Sequence, residues 1–171
     1  MIRGEKVSKL SLFFYSLSVV VTIIICYLIN YLTEPVLAEN SKSNISNGNP
    51  GLFPLIFLTP FLLILIVGTF KVTYTFAKRT LQTIQFKIII VFSLIVSSII
   101  YFFTFKEAQK LRLLIFDNND SVTKIDEIPL LNIYSNSTFF NGWTLIALLF
   151  TIIFIAHCSV LMKQKIRKYT K

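Results

Sequence analysis

Residues 10–32 read LSLFFYSLSVVVTIIICYLINYL and contain no charged side chain. The stretch is longer than the roughly 20 residues that a helix needs to cross a ~30 Å hydrocarbon layer. Many of its residues are β-branched or aromatic, which in water favours strands. In lipid, however, a lone apolar segment can satisfy its backbone hydrogen bonds only as a helix. The stretch therefore predicts a transmembrane helix.

Three more apolar runs follow, at residues 52–70, 88–105 and 139–162. The whole chain is 54% hydrophobic with a mean hydropathy of +0.71, whereas soluble domains are nearer 45–50% apolar. None of the runs shows the alternation of polar and apolar residues that a membrane β-barrel needs. We predict an all-α integral membrane protein, a four-transmembrane-helix bundle with two extracytoplasmic loops.

The net charge of +9 is distributed unevenly between the segments that flank these runs. Residues 1–9, 71–87 and 163–171 are basic, with Glu5 as their single acid, and the other two connections hold all the remaining acids. Because Lys and Arg stay on the cytoplasmic side during insertion, both termini are predicted to be cytoplasmic, in the cell membrane. The predicted order is N-terminus 1–9, helix 10–32, outer loop 33–51, helix 52–76, cytoplasmic loop 77–87, helix 88–105, outer loop 106–138, helix 139–162 and basic tail 163–171.

Two features of this topology have a second interpretation. The first span is followed by EPVLAEN, so a signal peptidase cleaving after Ala38 would leave three spans, although the apolar run is longer than a typical signal sequence. The basic tail KQKIRKYTK fits topology and attraction to anionic lipid, and it is too short to fold a nucleic-acid recognition surface.

The stretch 116–127, FDNNDSVTKIDE, resembles a calcium loop in composition but not in spacing. Counting from Asp117, the sixth position is Val122 instead of glycine and the twelfth is Ile128 instead of a bidentate glutamate. We therefore predict a solvated connection. Residues 106–116 are good helix formers that either prolong the third span or lie on the membrane surface, and 128–134 is apolar enough to pack against them. Three glycosylation sequons, at Asn44, Asn119 and Asn136, fall in the outer loops.

The spans lack the intramembrane Asp, Glu, Lys or Arg that usually marks a substrate or ion pathway. The single histidine, His157, is expected to be neutral and bonded to a neighbouring helix, and Cys158 beside it to be an apolar filler. Pro60 predicts a kink in the second span. The small pair Ser93 and Ser97 predicts that the third helix is the central packing surface. No catalytic, cofactor-binding or metal-binding residues are predicted.

These observations favour a non-catalytic accessory, regulatory or immunity-type membrane subunit that acts through helix–helix or outer-loop contacts. The expected partners are the lipid bilayer and either another membrane protein or a second copy of the chain; no nucleic acid, cofactor or small-molecule substrate is inferred. A transporter or channel subunit that functions as an oligomer is the alternative, and a membrane enzyme using His157 or Asp117 is the third hypothesis. The Ile-, Lys- and Asn-rich composition suggests a bacterial source.

Overall fold

A computed structural model describes residues 9–33, 53–80, 83–118 and 123–169. Within those ranges the regular structure is entirely helical. The helices are α1 (Lys9–Leu32), α2 (Phe53–Thr80), α3 (Thr83–Asp117), α4 (Asn136–Phe139) and α5 (Gly142–Tyr169), with a 3-10 helix at Ile125–Glu127 between α3 and α4. All of them except α4 and the 3-10 helix are long and apolar enough to cross a membrane, which confirms the all-helical class and the four spanning-length helices. Ala38 and the sequons at Asn44 and Asn119 lie outside the described residues.

The four long helices make their extensive contacts in the order α1–α2–α5–α3. α2 and α5 therefore occupy the two central positions, while α1 and α3 stand at the two edges and share no extensive contact. The short α4 touches both α1 and α3. We call the end of the molecule that carries α4 the loop end, and the opposite end, where α2 and α5 finish, the tail end.

The prediction that the third helix is central is wrong. Ser93 and Ser97 are buried, but the extensive contact that α3 makes with a long helix is with α5 alone. Only 11% of the most apolar part of α3 is buried, against 22% to 28% in the other three long helices. A small-residue pair thus identified a contact face correctly, but it did not identify how many neighbours the helix has.

Large apolar side chains are exposed on every long helix, for example Phe13, Ile56, Phe102 and Ile155. Soluble monomers rarely expose contiguous apolar patches of this extent, since water penalises them. Helices of this length with apolar outer faces are typical of a multi-pass membrane protein, where lipid tails cover the surface.

α3 is a single helix of 35 residues, about 52 Å long at 1.5 Å per residue. That exceeds the ~30 Å hydrocarbon layer, so the third helix is longer than a span requires. Of the two alternatives for residues 106–116, the structure shows the first: they continue α3. At the tail end, α2 reaches Thr80 and α3 begins at Thr83, so helix also occupies most of the predicted cytoplasmic loop 77–87.

α1 and α2 are joined by a close contact in their tail halves. The ring of Tyr15 lies against Gly68 so closely that a Cβ at position 68 would overlap the ring. The Tyr15 hydroxyl is also 3.2 Å from the Thr69 hydroxyl. Glycine is required here because it removes the side chain that would otherwise occupy the space of the ring.

His157 differs from expectation in its hydrogen bond. His157 is buried, but its Nδ1 donates to the Ile153 carbonyl of its own helix at 2.8 Å, not to a neighbouring helix. Its ring meets Phe86 of α3 edge-on, with 5.7 Å between ring centroids. Pro60 lies inside α2 on an exposed face, and the helix continues on both sides of it; the kink at this position stays a prediction.

Candidate functional site: a cleft at the loop end

The segment between α3 and α4 folds back on the protruding end of α3. Ile115 of α3 packs with Ile128, Ile133 and Tyr134 in a buried cluster, and Phe116 lies against its edge. The apolar stretch 128–134 thus covers α3, as its composition suggested. We call residues 123–135, together with the end of α3, the cap.

Arg112 joins the two parts of the cap, the end of α3 and residues 123–135. Its Nε donates to the Ile125 carbonyl at 3.0 Å, and its Nη2 lies 3.1 Å from a carboxylate oxygen of Asp126. The Glu127 carboxylate in turn accepts from the Thr123 hydroxyl and backbone N–H. The described part of 116–127 is therefore held by specific bonds and is more than a solvated connection; residues 119–122 lie outside the described residues.

Asn132 organises the turn that leads into α4. Its Oδ1 accepts from the backbone N–H groups of Tyr134 and Ser135, at 2.9 and 3.0 Å, and its Nδ2 donates to the Pro129 carbonyl at 2.9 Å. The Ser135 hydroxyl accepts from the Asn132 N–H and donates to the Leu130 carbonyl. These bonds satisfy backbone groups that a buried turn would otherwise leave unpaired.

Asn136, the first residue of α4, is fully buried, and neither of its amide atoms has a hydrogen-bond partner among the described residues. This asparagine begins the sequon Asn136-Ser137-Thr138. Because its side chain is inaccessible in the folded chain, the sequon is not a glycosylation site of the folded protein.

Asn141 joins α4 to α5. Its Oδ1 accepts from the N–H of Thr144 at 3.0 Å, and its own N–H donates to the Thr144 hydroxyl at 3.1 Å, the reciprocal arrangement of a helix N-terminal cap. Its Nδ2 donates to the carbonyls of Ser137 and Thr138 at the end of α4. One side chain therefore caps α5 and fixes the angle at which the chain leaves α4.

Asn30, in the last turns of α1, ties the edge helix to this corner. Its Nδ2 lies 2.7 Å from the Cys26 carbonyl of the same helix and 2.8 Å from the Phe140 carbonyl between α4 and α5. Below it, Ile25 and Ile29 of α1 pack with Leu58 of α2. The loop end of α1 is thus held from two sides.

A cleft of about 570 Å³ opens between α1 and α3 above this corner. Its apolar wall is formed by three residues of α3: Ile99, Ile100 and Phe103. The remaining lining residues are polar or aromatic and come from α1, α3 and the α4–α5 corner: Asn30, Thr104, Glu107, Ser137, Thr138, Asn141 and Trp143. A second cleft of about 300 Å³ between α1 and α5 shares Asn30 and Asn141 with it. Asn30 and Asn141 therefore line both clefts, the larger one between α1 and α3 and the smaller one between α1 and α5.

Among the residues that the structure describes, few titratable side chains lie in or near the cleft. Its one carboxylate, Glu107, forms an exposed ion pair with Lys110 at 3.1 Å. His157 does not line the cleft, and Asp117 lies at the end of α3 beyond it. Within the described ranges, no three His, Cys, Asp or Glu side chains come close enough to hold a metal ion.

Sequence reasoning did not single out Asn30 or Asn141, on which the site depends. The sequence nevertheless contains a feature that could have identified each of them. An asparagine near the end of an otherwise apolar span has to find a partner, and Asn141-x-x-Thr144 has the spacing of a cap in front of an apolar run.

No protein-family model matches this chain, and neither does any curated protein or solved structure.

Proposed function

We propose that this protein is a non-catalytic accessory, regulatory or immunity-type subunit of the cell membrane that binds a transmembrane helix of another membrane protein in the cleft between α1 and α3. The loop end faces out of the cell and both termini are cytoplasmic. The observation that carries this function is the cleft itself: the two edge helices leave an open recess where a closed bundle would bring them together.

The orientation is supported by the charges. The described acids, Glu107, Asp117, Asp126 and Glu127, all belong to the loop end, whereas the tail end carries basic residues alone among the charged residues that the structure describes. Basic segments are retained in the cytoplasm during insertion.

A helix fits the recess in size and chemistry. From Ile99 to Glu107 the α3 wall runs for about 12 Å at 1.5 Å per residue, which is the length of about two turns of a helix packed alongside α3. Ser137, Thr138 and Thr104 are small polar residues that let another backbone approach closely and offer hydrogen bonds. Such bonds contribute about 0.6 kcal/mol each between membrane helices, so shape and several weak contacts would act together.

The test uses two neighbouring phenylalanines on α3. Phe103 lines the cleft, whereas Phe102 does not, and both side chains are exposed. A photo-crosslinking phenylalanine analogue is introduced at one position or the other, with a second cleft position at Trp143, in the full chain expressed in its native host. We expect the same membrane protein to be crosslinked from positions 103 and 143 and not from 102, and the crosslink from 103 to weaken in an Asn30→Leu background.

Three outcomes contradict the function. Crosslinking of the chain to itself from position 103 would mean that the cleft is a self-association surface. Equal crosslinking from positions 102 and 103, or to lipid alone, would mean that no partner helix occupies the cleft.

The alternative, a transporter or channel subunit that works as an oligomer, predicts ion or solute flux through liposomes containing the purified protein. Absence of flux at every oligomeric state would remove it.

A further inference from the structure

At the tail end, α2 and α5 are joined by a small apolar cluster. Ala77 of α2, Phe86 of α3 and Val160 of α5 are buried together, with Tyr74 and Leu161 packed against them. Just beyond this cluster, the two helices leave a recess of about 180 Å³, lined by Tyr74, Lys78, Val160, Lys163 and Gln164. Val160 and Tyr74 give it an apolar lining, and each helix contributes one lysine.

We infer that this recess binds the phosphate-bearing headgroup of an anionic phospholipid. Lys78 and Lys163 both line it, and no acidic side chain that the structure describes lies at this end to neutralise them. Basic pockets between membrane helices are the usual sites for anionic headgroups, because the clustered positive charge complements the phosphate.

The surroundings of the recess favour a lipid over a free phosphate ion. The recess is also lined by Val160 and the ring of Tyr74, and these apolar groups offer surface to an acyl chain. A soluble ion would make no use of them. Lysine stems lie along apolar surface while the ammonium group reaches the interface, so one molecule with a charged head and apolar tails satisfies both parts of the site.

Tyr74 gives the recess a fixed wall. Its ring stacks on Phe70, one turn earlier on α2, with 5.8 Å between centroids and 21° between ring planes. Tyrosine is favoured at the level of the headgroups, where its ring meets the hydrocarbon and its hydroxyl meets polar groups. The hydroxyl and the Gln164 amide would supply neutral hydrogen-bond donors beside the two ammonium groups.

The experiment measures retention of phosphatidylglycerol and of phosphatidylcholine by the full-length protein in detergent, read by native mass spectrometry. The test variant is Lys78→Gln with Lys163→Gln. The control is Lys87→Gln with Lys165→Gln, which removes the same charge at the same end from exposed residues that do not line the recess. Helical content by circular dichroism and a monodisperse elution profile are checked for all three proteins.

We expect the test variant to bind phosphatidylglycerol about thirtyfold more weakly, which is about 2 kcal/mol at about 1 kcal/mol for each lysine near the surface. The control variant and phosphatidylcholine binding should change by less than about threefold. An equal loss in both variants would overturn the site in favour of a general charge effect. Displacement of the lipid by inorganic phosphate at millimolar concentration would overturn the lipid as its ligand, and so would equal retention of the two lipids by the unmodified protein.

Discussion

The loop end of this molecule is stabilised by a different kind of contact from its tail half, by which we mean the half of the long helices nearer the tail end. At the loop end, the chain leaves the helices, so its backbone needs partners, and buried or half-buried side chains such as Arg112, Asn132 and Asn141 supply them. In the tail half, the helices satisfy their own backbones and meet through close packing, as at Tyr15 and Gly68. The difference follows from the solvent: in lipid, a helix has no unmet backbone bonds and gains most from close approach. Stability should therefore respond to volume in the tail half and to hydrogen bonding at the loop end.

The largest expected effect is at Gly68. In Gly68→Ala, the new Cβ overlaps the Tyr15 ring. The ring then has to move, which breaks the contact between the Tyr15 and Thr69 hydroxyls. Overpacking of this kind typically costs 1–3 kcal/mol, and we expect the upper half of that range, measured as a lower midpoint of unfolding in detergent.

The matched control for Gly68 is Gly142, where a Cβ would meet nothing within 4 Å. Gly142→Ala should leave the midpoint unchanged or raise it slightly, because alanine favours helix. Equal destabilisation by the two substitutions would break the contrast between a packed tail half and a bonded loop end.

The next largest difference in stability is expected between substitutions of two buried asparagines, which are four positions apart. Asn132→Ala removes the side-chain bonds to the Tyr134 and Ser135 N–H groups and to the Pro129 carbonyl, which should cost about 2 kcal/mol. The Ser135 N–H keeps its 3.3 Å bond to the backbone carbonyl of residue 132. Asn136→Ala removes an amide that has no partner among the described residues, so it should be close to neutral. Hydrogen exchange of residues 124–135, followed by mass spectrometry, reads the local effect directly. Faster exchange in the Asn136 variant than in the Asn132 variant would contradict the bonding pattern.

The smallest effect is at the ion pairs of α3. Arg112→Gln removes the bond to the Ile125 carbonyl. We expect this to cost about 1 kcal/mol of stability, measured as faster hydrogen exchange in the cap. Lys110→Gln removes an exposed pair with Glu107 and should cost less than about 0.5 kcal/mol. Asp126→Asn should also be mild, since the Asp126 side chain is 90% exposed. If the stability of the cap falls with rising salt concentration, or falls more in Asp126→Asn than in Arg112→Gln, then the ion pair and not the bond to the Ile125 carbonyl holds the cap.

The sequence was enough to predict the four spanning-length helices, because runs such as 10–32 leave lipid as the only stable surroundings and helix as the only stable conformation. It also identified the contact face at Ser93. It did not show that α3 is an edge helix, because the number of neighbours depends on the shapes of three other helices, which no local pattern encodes.

The site was harder to predict for a similar reason. The composition of 116–127 predicted a solvated connection, but the bond from Arg112 to Ile125 joins residues that only the folded cap brings together. Asn30 and Phe140 are 110 positions apart, and a hydrogen bond across that separation depends on tertiary packing alone. Local capping spacings, such as Asn141 with Thr144, were readable in principle because both partners lie within one turn.

The most direct test of the account is the side of the membrane on which each end lies. Single cysteines are placed at Thr123 in the cap and at Gln164 in the tail end, in a background where Cys26 and Cys158 are replaced by alanine. An impermeant maleimide added to intact cells should label Thr123→Cys and leave Gln164→Cys unlabelled until the membrane is opened. Labelling of Gln164→Cys in intact cells, or protection of Thr123→Cys there, would contradict the account.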